Sequence, residues 1–365
     1  MVQSFALSEI LRLDAFAAGA VSLAVCILLV ITKRWHGKLT MDSTEGVQKF
    51  HTAPTPRIGG VAIVAGVIAG YALLSNDVAA AAKREILLNI MLAGVPAFVF
   101  GLAEDVTKKV SVRVRLLATI GSGILGWWIT GISVTQVGIP GIDWLLGLTA
   151  VSVIFTGIAV GGVANAVNII DGFNGLAAGA VLIMLAAFGI IARDVGDIPL
   201  AFSCLVIAGA VAGFWVINWP LGKIFLGDGG AYFIGFALGW IAVLLPYRNP
   251  AVSCWTSLLV CSYPVLEVAF SALRRIGRTG HSPGKADCMH LHHLLHRRIA
   301  LKLFSNTQPT MQNGLTSPFI WLGIVFTSSL ALLTFHSPLW AAFMVLLCAV
   351  VYRRIYFRMA KFRWF

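Results

Sequence analysis

Residues 200–217 read LAFSCLVIAGAVAGFWVI, a run without a charge, an amide or a proline. A helix needs roughly 20 predominantly apolar residues to cross a hydrocarbon core, so this run reads first as a membrane span. Ten further apolar runs lie outward from it, at about 13–31, 58–74, 86–103, 116–131, 144–164, 176–192, 231–246, 251–270, 318–335 and 339–352. Of the 365 residues, 58% are hydrophobic and only 12% charged, where a soluble domain carries about 25% charged. That balance excludes a water-soluble fold. It predicts an all-α polytopic membrane protein of about 11 transmembrane helices, forming a single domain over 1–365. The first run is too long, and too far from any cleavage-like tail, for a simple signal peptide.

The net charge of +12 admits nucleic acid as a partner, but basic residues in a multi-span chain first report orientation. With 33–57 placed in the cytoplasm, the loops on that side carry 22 of the 27 Lys and Arg. Arg12, Lys83, Arg84, Arg193 and Arg248 remain on the other side. This predicts an outside N-terminus and a cytoplasmic C-terminus, and nucleic acid becomes unnecessary. The tail Arg353, Arg354, Arg358, Lys361 and Arg363 reads as a topological anchor that also attracts anionic lipid head groups. Five of the six cysteines lie in spans, Cys288 lies in a loop, none has metal-ligand spacing, and no disulfide is expected.

The outward loops hold turn formers and little else, whereas the inward loops 33–57, 104–115, 165–175, 218–230 and 271–314 gather acids, amides and histidines. Glu104 and Asp105 adjoin at the end of the third span. Each raises the other's pKa unless a cation shares them, so they read as a divalent-metal or general-base site, or as solvated loop charges beside Lys108 and Lys109. The stretch NAVNIIDGFNG at 165–175 sets Asn168 and Asp171 one helical turn apart, close enough to share a ligand. Asp228 stands alone among glycines in FLGDGG at 225–230, either a turn or an oxygen ligand of the kind Mg2+ prefers. His290, His292, His293 and His296, followed by Arg297 and Arg298, form a donor surface. Zinc is one reading, phosphate oxygens the better one, and a solvated amphipathic helix the plain alternative. Lys49 and Arg57 flank a proline-rich stretch whose bases suit lipid phosphate.

Taken in order, five of these motifs resemble those of the polyprenyl-phosphate N-acetylhexosamine-1-phosphate transferases (glycosyl transferase family 4), relatives of the phospho-N-acetylmuramoyl-pentapeptide transferases. The resemblance runs from Asp42 to about Arg298. PTPRIGG at 54–60 is similar to the early cytoplasmic motif, and Glu104-Asp105 occupies the paired-aspartate position. Asn168 and Asp171 match the central motif, Asp228 the Mg2+-ligand motif, and His290, His292 and His293 the late histidine motif. The HLHH form is similar to the branch using simpler amino sugars, nearest the undecaprenyl-phosphate GlcNAc/FucNAc-1-phosphate transferases. Glu104 for aspartate, Asn174 for aspartate, Ala231 for serine and Glu267 for aspartate are departures.

The resemblance implies transfer of an N-acetylhexosamine-1-phosphate from a UDP-N-acetylhexosamine to undecaprenyl phosphate, giving polyprenyl-diphospho-sugar and UMP and starting a lipid-linked cell-surface glycan. It implies Asp105, Glu104, Asp171 and Asp228 as catalytic, with Mg2+, or Mn2+ in its place, held by Asp228, Asp171 and Asp105. Lys49, Arg57, Asn168, His290, His292 and His293 would bind substrate phosphates. It further implies the bacterial inner membrane, with the active site on its cytoplasmic face and membrane lipids as neighbours, and leaves a homodimer open. The rival from another class is a secondary transporter of an anionic metabolite, which predicts mid-span charges and broken helices in paired positions. A non-catalytic scaffold would show no preference for Asp, Asn and His in inward loops.

Overall fold

A computed structural model describes residues 13–42, 54–276 and 289–361. The chain is almost entirely helical: α1 (Leu13–Ile31), α2 (Lys33–Thr40), α3 (Gly59–Ala72), α4 (Val78–Ala93), α5 (Val95–Thr107), α6 (Val112–Thr130), α7 (Pro140–Leu146), α8 (Thr149–Ile170) and α9 (Leu176–Asp194). There follow α10 (Ile198–Asn218), α11 (Gly227–Arg248), α12 (Cys254–Val260), α13 (Ser262–Ile276), α14 (Leu291–Leu295), a π-helical turn at His296–Ala300, α15 (Leu301–Leu303), α16 (Pro309–Gly314), α17 (Ser317–Thr334) and α18 (Pro338–Lys361). The two short strands, β1 (Met41–Asp42) and β2 (Thr55–Pro56), pair antiparallel with Met41 opposite Pro56.

Every apolar run of the sequence falls on helices. Eight helical stretches among the described residues are long and apolar enough to cross a membrane, and ten if each of two bent pairs is one span. The α4–α5 pair bends by 43° and the α12–α13 pair by 81°. Prolines account for both. Pro96 lacks the N–H that would bond the Leu92 carbonyl, and Pro264 the one that would bond Val260, so each ring interrupts the ladder at the observed break. The remaining run corresponds to α3, only 14 residues long.

α11 is the central pillar, with 89% of its apolar window buried, against 22% for α1 and for α6. It is wrapped by α3, α5 and α8, and close approach explains its glycines. A Cβ on Gly101 of α5 would lie 2.6 Å from Gly229 Cα, and one on Gly60 of α3 would strike the Gly230 backbone. Small residues let membrane helices touch backbone to backbone. The consequence is positional: the N-terminus of α11, which carries Asp228, is gripped by three elements at one end of the bundle.

Candidate active site at the N-terminus of helix α11

The turn entering α11 is built by Gly227, whose φ of 75° lies in the left-handed region that glycine tolerates. A Cβ there would also collide with Asp105 Oδ2 and the Arg57 carbonyl. Asp105, 1% exposed at the end of α5, accepts the backbone N–H of Asp228 on Oδ1 and that of Gly229 on Oδ2, each at 2.8 Å. It thereby satisfies two of the donors a helix start leaves open.

Segment 55–60 is threaded between two partners. Arg57 N–H donates to Thr40 O at 2.9 Å, Phe225 N–H to Pro56 O at 2.8 Å, and Gly59 N–H to Phe225 O at 2.9 Å. Arg57 is thus delivered to the acids. Its Nε stands 3.2 Å from Asp105 Oδ1, and its terminal nitrogen donates to Asp228 Oδ1 at 2.5 Å. Arg115, from the first turn of α6, pairs with Asp228 Oδ2, and Asn168 Nδ2 donates to Asp228 Oδ1 at 3.1 Å. Burial works against the Arg57 charge, but Asp228, Asp105 and Asp42 more than offset it and raise its pKa.

Asp171 caps α8, half-buried, and its carboxylate has no hydrogen bond among the described residues. Burial pushes it up to about 7, with Arg57 pulling down and Asp228 pushing up. Its loop is sewn in place by amides. Asn174 N–H donates to Asn313 Oδ1 at 2.7 Å and its Nδ2 to Pro220 O at 3.0 Å, while Gly175 N–H donates to Asn218 Oδ1 at 2.5 Å. These bonds join the loops that carry Asp171 and Asp228.

The histidine segment closes against the same loop. A Cβ on Gly172 would lie 3.2 Å from His292 Nε2 and 3.4 Å from His293 Nε2. The Phe173 ring packs on His292, His293 and His296, with centroids 5.9, 5.7 and 4.8 Å away. His290 Nδ1 bonds Glu267 Oε1 at 2.9 Å, and His292 Nδ1 meets the Tyr263 hydroxyl at 3.3 Å. Burial, with His293 and His290 beside it, holds His292 well below the usual histidine range. Burial and Arg297 bring His296 down to about 4. Both rings are neutral at pH 7.

The structure therefore joins Arg57, Asp105 and Asn168 to Asp228, sets Asp171 within reach of the Arg57 and Asp228 charges, and brings His292 and His293 against Gly172 with His290 stacked on His292. Glu104 accepts Val110 N–H at 2.7 Å and lies near the Arg115 that pairs with Asp228. Lys49 lies outside the described residues. Among those residues, no three His, Cys, Asp or Glu side chains gather closely enough to hold a metal ion by themselves. Arg115, Tyr263 and Glu267 are components that the sequence reading left out of the site. Glu267 carried two signals, an acid near a span interior and a position where the resembling family often has aspartate.

The fold and this site define a multi-pass membrane protein that concentrates acids and arginines where its central helix begins, with histidines packed against the loop at 172–173. Residues 87–246 match the family model described as Glycosyl transferase family 4. The chain is 26% identical over 341 residues to the probable undecaprenyl-phosphate N-acetylglucosaminyl 1-phosphate transferase of Bacillus subtilis, covering 91% of this chain and 88% of that one. It is also 26% identical to the undecaprenyl-phosphate alpha-N-acetylglucosaminyl 1-phosphate transferases of Yersinia pestis and Escherichia coli K12, covering 74% and 76% of this chain and 73% and 75% of theirs. These matches show the family resemblance read from the motifs, at modest identity over most of the chain.

Proposed function

We propose that the chain transfers an N-acetylhexosamine-1-phosphate from a UDP-sugar to undecaprenyl phosphate, the first step of a lipid-linked cell-surface glycan. The observation that carries this reading is the convergence of Arg57, Arg115 and Asn168 on Asp228, one loop away from the unbonded Asp171. Relatives named for that transfer along most of the chain support it. In this reading the chain crosses the bacterial inner membrane eleven times, N-terminus out, with the site on the cytoplasmic face.

An oxygen of the lipid phosphate attacks the sugar-linked phosphorus. The bond from that phosphorus to the bridging oxygen breaks, and UMP leaves with the oxygen and its charge. Such a transfer is catalysed mostly by positioning and charge neutralisation. Arg57 and Arg115 exchange Asp228 for phosphate oxygens when the nucleotide sugar arrives, and Asn168 orients Asp228. A phosphate's second pKa is near 6, so the nucleophile is largely ionised at neutral pH without a base. Glu104 and Asp105 then hold structure, and Lys49 and His293 assist with phosphate.

The donor set suits Mg2+ as a ligand shared with substrate. Asp171 offers a carboxylate without a hydrogen bond among the described residues, and Asp228 offers one once the arginines move. Hard ions of this size accept one or two carboxylates and complete their shell with water and phosphates. Bound there, Mg2+ supplies charge neutralisation across the diphosphate.

A radiolabelled UDP-GlcNAc assay in membranes with undecaprenyl phosphate and Mg2+ tests the reading. Wild type is expected to form labelled lipid and Asp228→Ala to form none; unchanged Mg2+-dependent product in the variant would overturn the assignment. One observation favours the transporter reading, the two bent helix pairs. Against it, the acids and histidines other than Glu267 sit at helix ends, where a lipid phosphate and a water-borne nucleotide meet.

A further inference from the structure

The last turns of α18 run from the bilayer to the histidine segment. The helix is 24 residues long, about 36 Å at 1.5 Å per residue, and so exceeds a hydrocarbon core of about 30 Å. Its apolar part ends at Tyr352, and 353–361 continue as helix beyond it. On one side of this extension Tyr352, Tyr356 and Met359 are buried. The Phe270 ring packs on Tyr352 and Tyr356, with centroids 5.7 and 4.6 Å away. The Tyr356 hydroxyl donates to Met289 O at 3.0 Å, and Arg298 donates to Ala360 O at 3.4 Å, one of the carbonyls a helix end leaves open. α18 therefore grips the histidine segment at both of its ends. Met289 precedes His290, whose ring stacks on His292, and His292 lies against Gly172 beside Asp171.

The other side of the extension is exposed and basic. Arg353, Arg354, Arg358 and Lys361 face outward, with Ile355 45% and Phe357 40% exposed between them. Arg353 and Lys361 stand over the Phe357 ring, 5.8 and 5.7 Å from its centroid. Arg354 and Arg358 are four residues apart and Arg358 and Lys361 three, spacings at which like charges repel along a helix. No Asp or Glu occurs in 290–365 to offset them, and none of the four cations has an acidic partner among the described residues. The neighbouring α13 ends on Arg274 and Arg275, which adds to the positive field. Cations interleaved with exposed apolar side chains, directly beyond a span, suit an amphiphile better than a free polyanion: the charges meet head groups while Ile355 and Phe357 meet the acyl boundary.

We infer that the exposed face of residues 353–361 docks anionic phospholipid head groups, and that lipid held there steadies the histidine segment through Tyr356 and Ala360. Neutralising the stripe removes the repulsion that frays the end of α18, and an unfrayed end keeps both grips. The anchor read in the sequence thereby acts on the site, and this role goes beyond the proposed transfer without depending on it.

The test uses full-length protein reconstituted without substrate into vesicles of phosphatidylcholine, alone or with added phosphatidylglycerol. It is read by amide hydrogen exchange and by native mass spectrometry of the lipid the protein retains. Phosphatidylglycerol should slow exchange over 289–300 by about 5-fold or more, the scale of an ordinary coupling between two sites. Each Lys or Arg at an anionic surface favours association by about 5-fold, so Arg354→Gln with Arg358→Gln should lower phosphatidylglycerol retention about 25-fold and abolish the slowing. Tyr356→Phe keeps the cations and removes the grip on Met289, so it should retain the lipid and lose most of the slowing. Exchange over 289–300 that is the same in both vesicles, a double variant that keeps the wild-type response, or undiminished slowing in Tyr356→Phe would overturn the inference. Equal slowing by inorganic phosphate in phosphatidylcholine vesicles would overturn the lipid as its source. The wild-type comparison needs neither a variant that folds nor turnover, so a failed transfer assay would sink the proposed function and leave this result standing.

Discussion

Asp105 and Asp228 are joined backbone to side chain: the Asp105 carboxylate receives the N–H groups of Asp228 and Gly229 at 2.8 Å each, so one acid fixes the turn that presents the other. Asp105→Asn keeps the shape but replaces one acceptor oxygen by a donor that faces an N–H. A lost charged hydrogen bond at a buried site costs about 2 kcal/mol. We expect a lower midpoint of thermal unfolding and at least about a 10-fold loss of turnover, measured on the same purified sample.

Asp171 gives a pH dependence of definite sign. Its pKa is raised to about 7 by burial, whereas an unfolded aspartate titrates near 3.9. Between those values the native state keeps a proton that the unfolded state has lost, so the stabilising contribution present below about pH 4 fades as pH rises through about 7. Asp171→Asn cannot titrate and should gain stability relative to wild type across that window. Thermal unfolding at about pH 5 and pH 8 checks this. Added Mg2+ should stabilise wild type at the higher pH and leave Asp171→Asn unmoved.

Arg115 pairs with Asp228 from the first turn of α6. Lysine at this position keeps the charge but loses the planar fork that spans carboxylate or phosphate oxygens. Arg115→Lys should therefore retain the fold and lose about 10-fold in kcat/KM, and Arg115→Ala about 100-fold or more, each equivalent to roughly 1.4 kcal/mol per tenfold. Steady-state kinetics at saturating lipid phosphate would decide.

Much of this architecture is legible in the sequence because apolar runs and loop charges are one-dimensional signals. Asp171 and Asp228 stand out as acids among glycines at span ends, and the structure places them together with Asn168 and Arg57. The breaks within spans were less legible. Runs 86–103 and 251–270 look continuous in hydropathy, yet Pro96 and Pro264 break them into bent pairs. Arg115 was concealed by its charge, which reads as an orientation signal like its neighbours Lys108 and Lys109. Glu104 and Asp105 looked like a matched pair, but successive residues on a helix point about 100° apart, and only Asp105 reaches α11. The amide of Asn174 has a use that only the fold reveals: it donates to Pro220 O at 3.0 Å, which a carboxylate does not.

The crossing of α5 and α11 depends on Gly101, where a Cβ would come within 2.6 Å of Gly229 Cα. Overpacking a tight contact costs about 1 to 3 kcal/mol. Gly101→Ala should spread the helices, lower the unfolding midpoint and displace Asp228, reducing activity along with stability.

The most direct test of the central claim is mass analysis of the lipid formed when purified protein is incubated with undecaprenyl phosphate, Mg2+ and a panel of UDP-N-acetylhexosamines. A polyprenyl-diphospho-sugar with one equivalent of UMP is expected for at least one sugar, with both products lost in Asp228→Ala. Absence of such a lipid for every sugar, or its undiminished formation by the variant, would contradict the account.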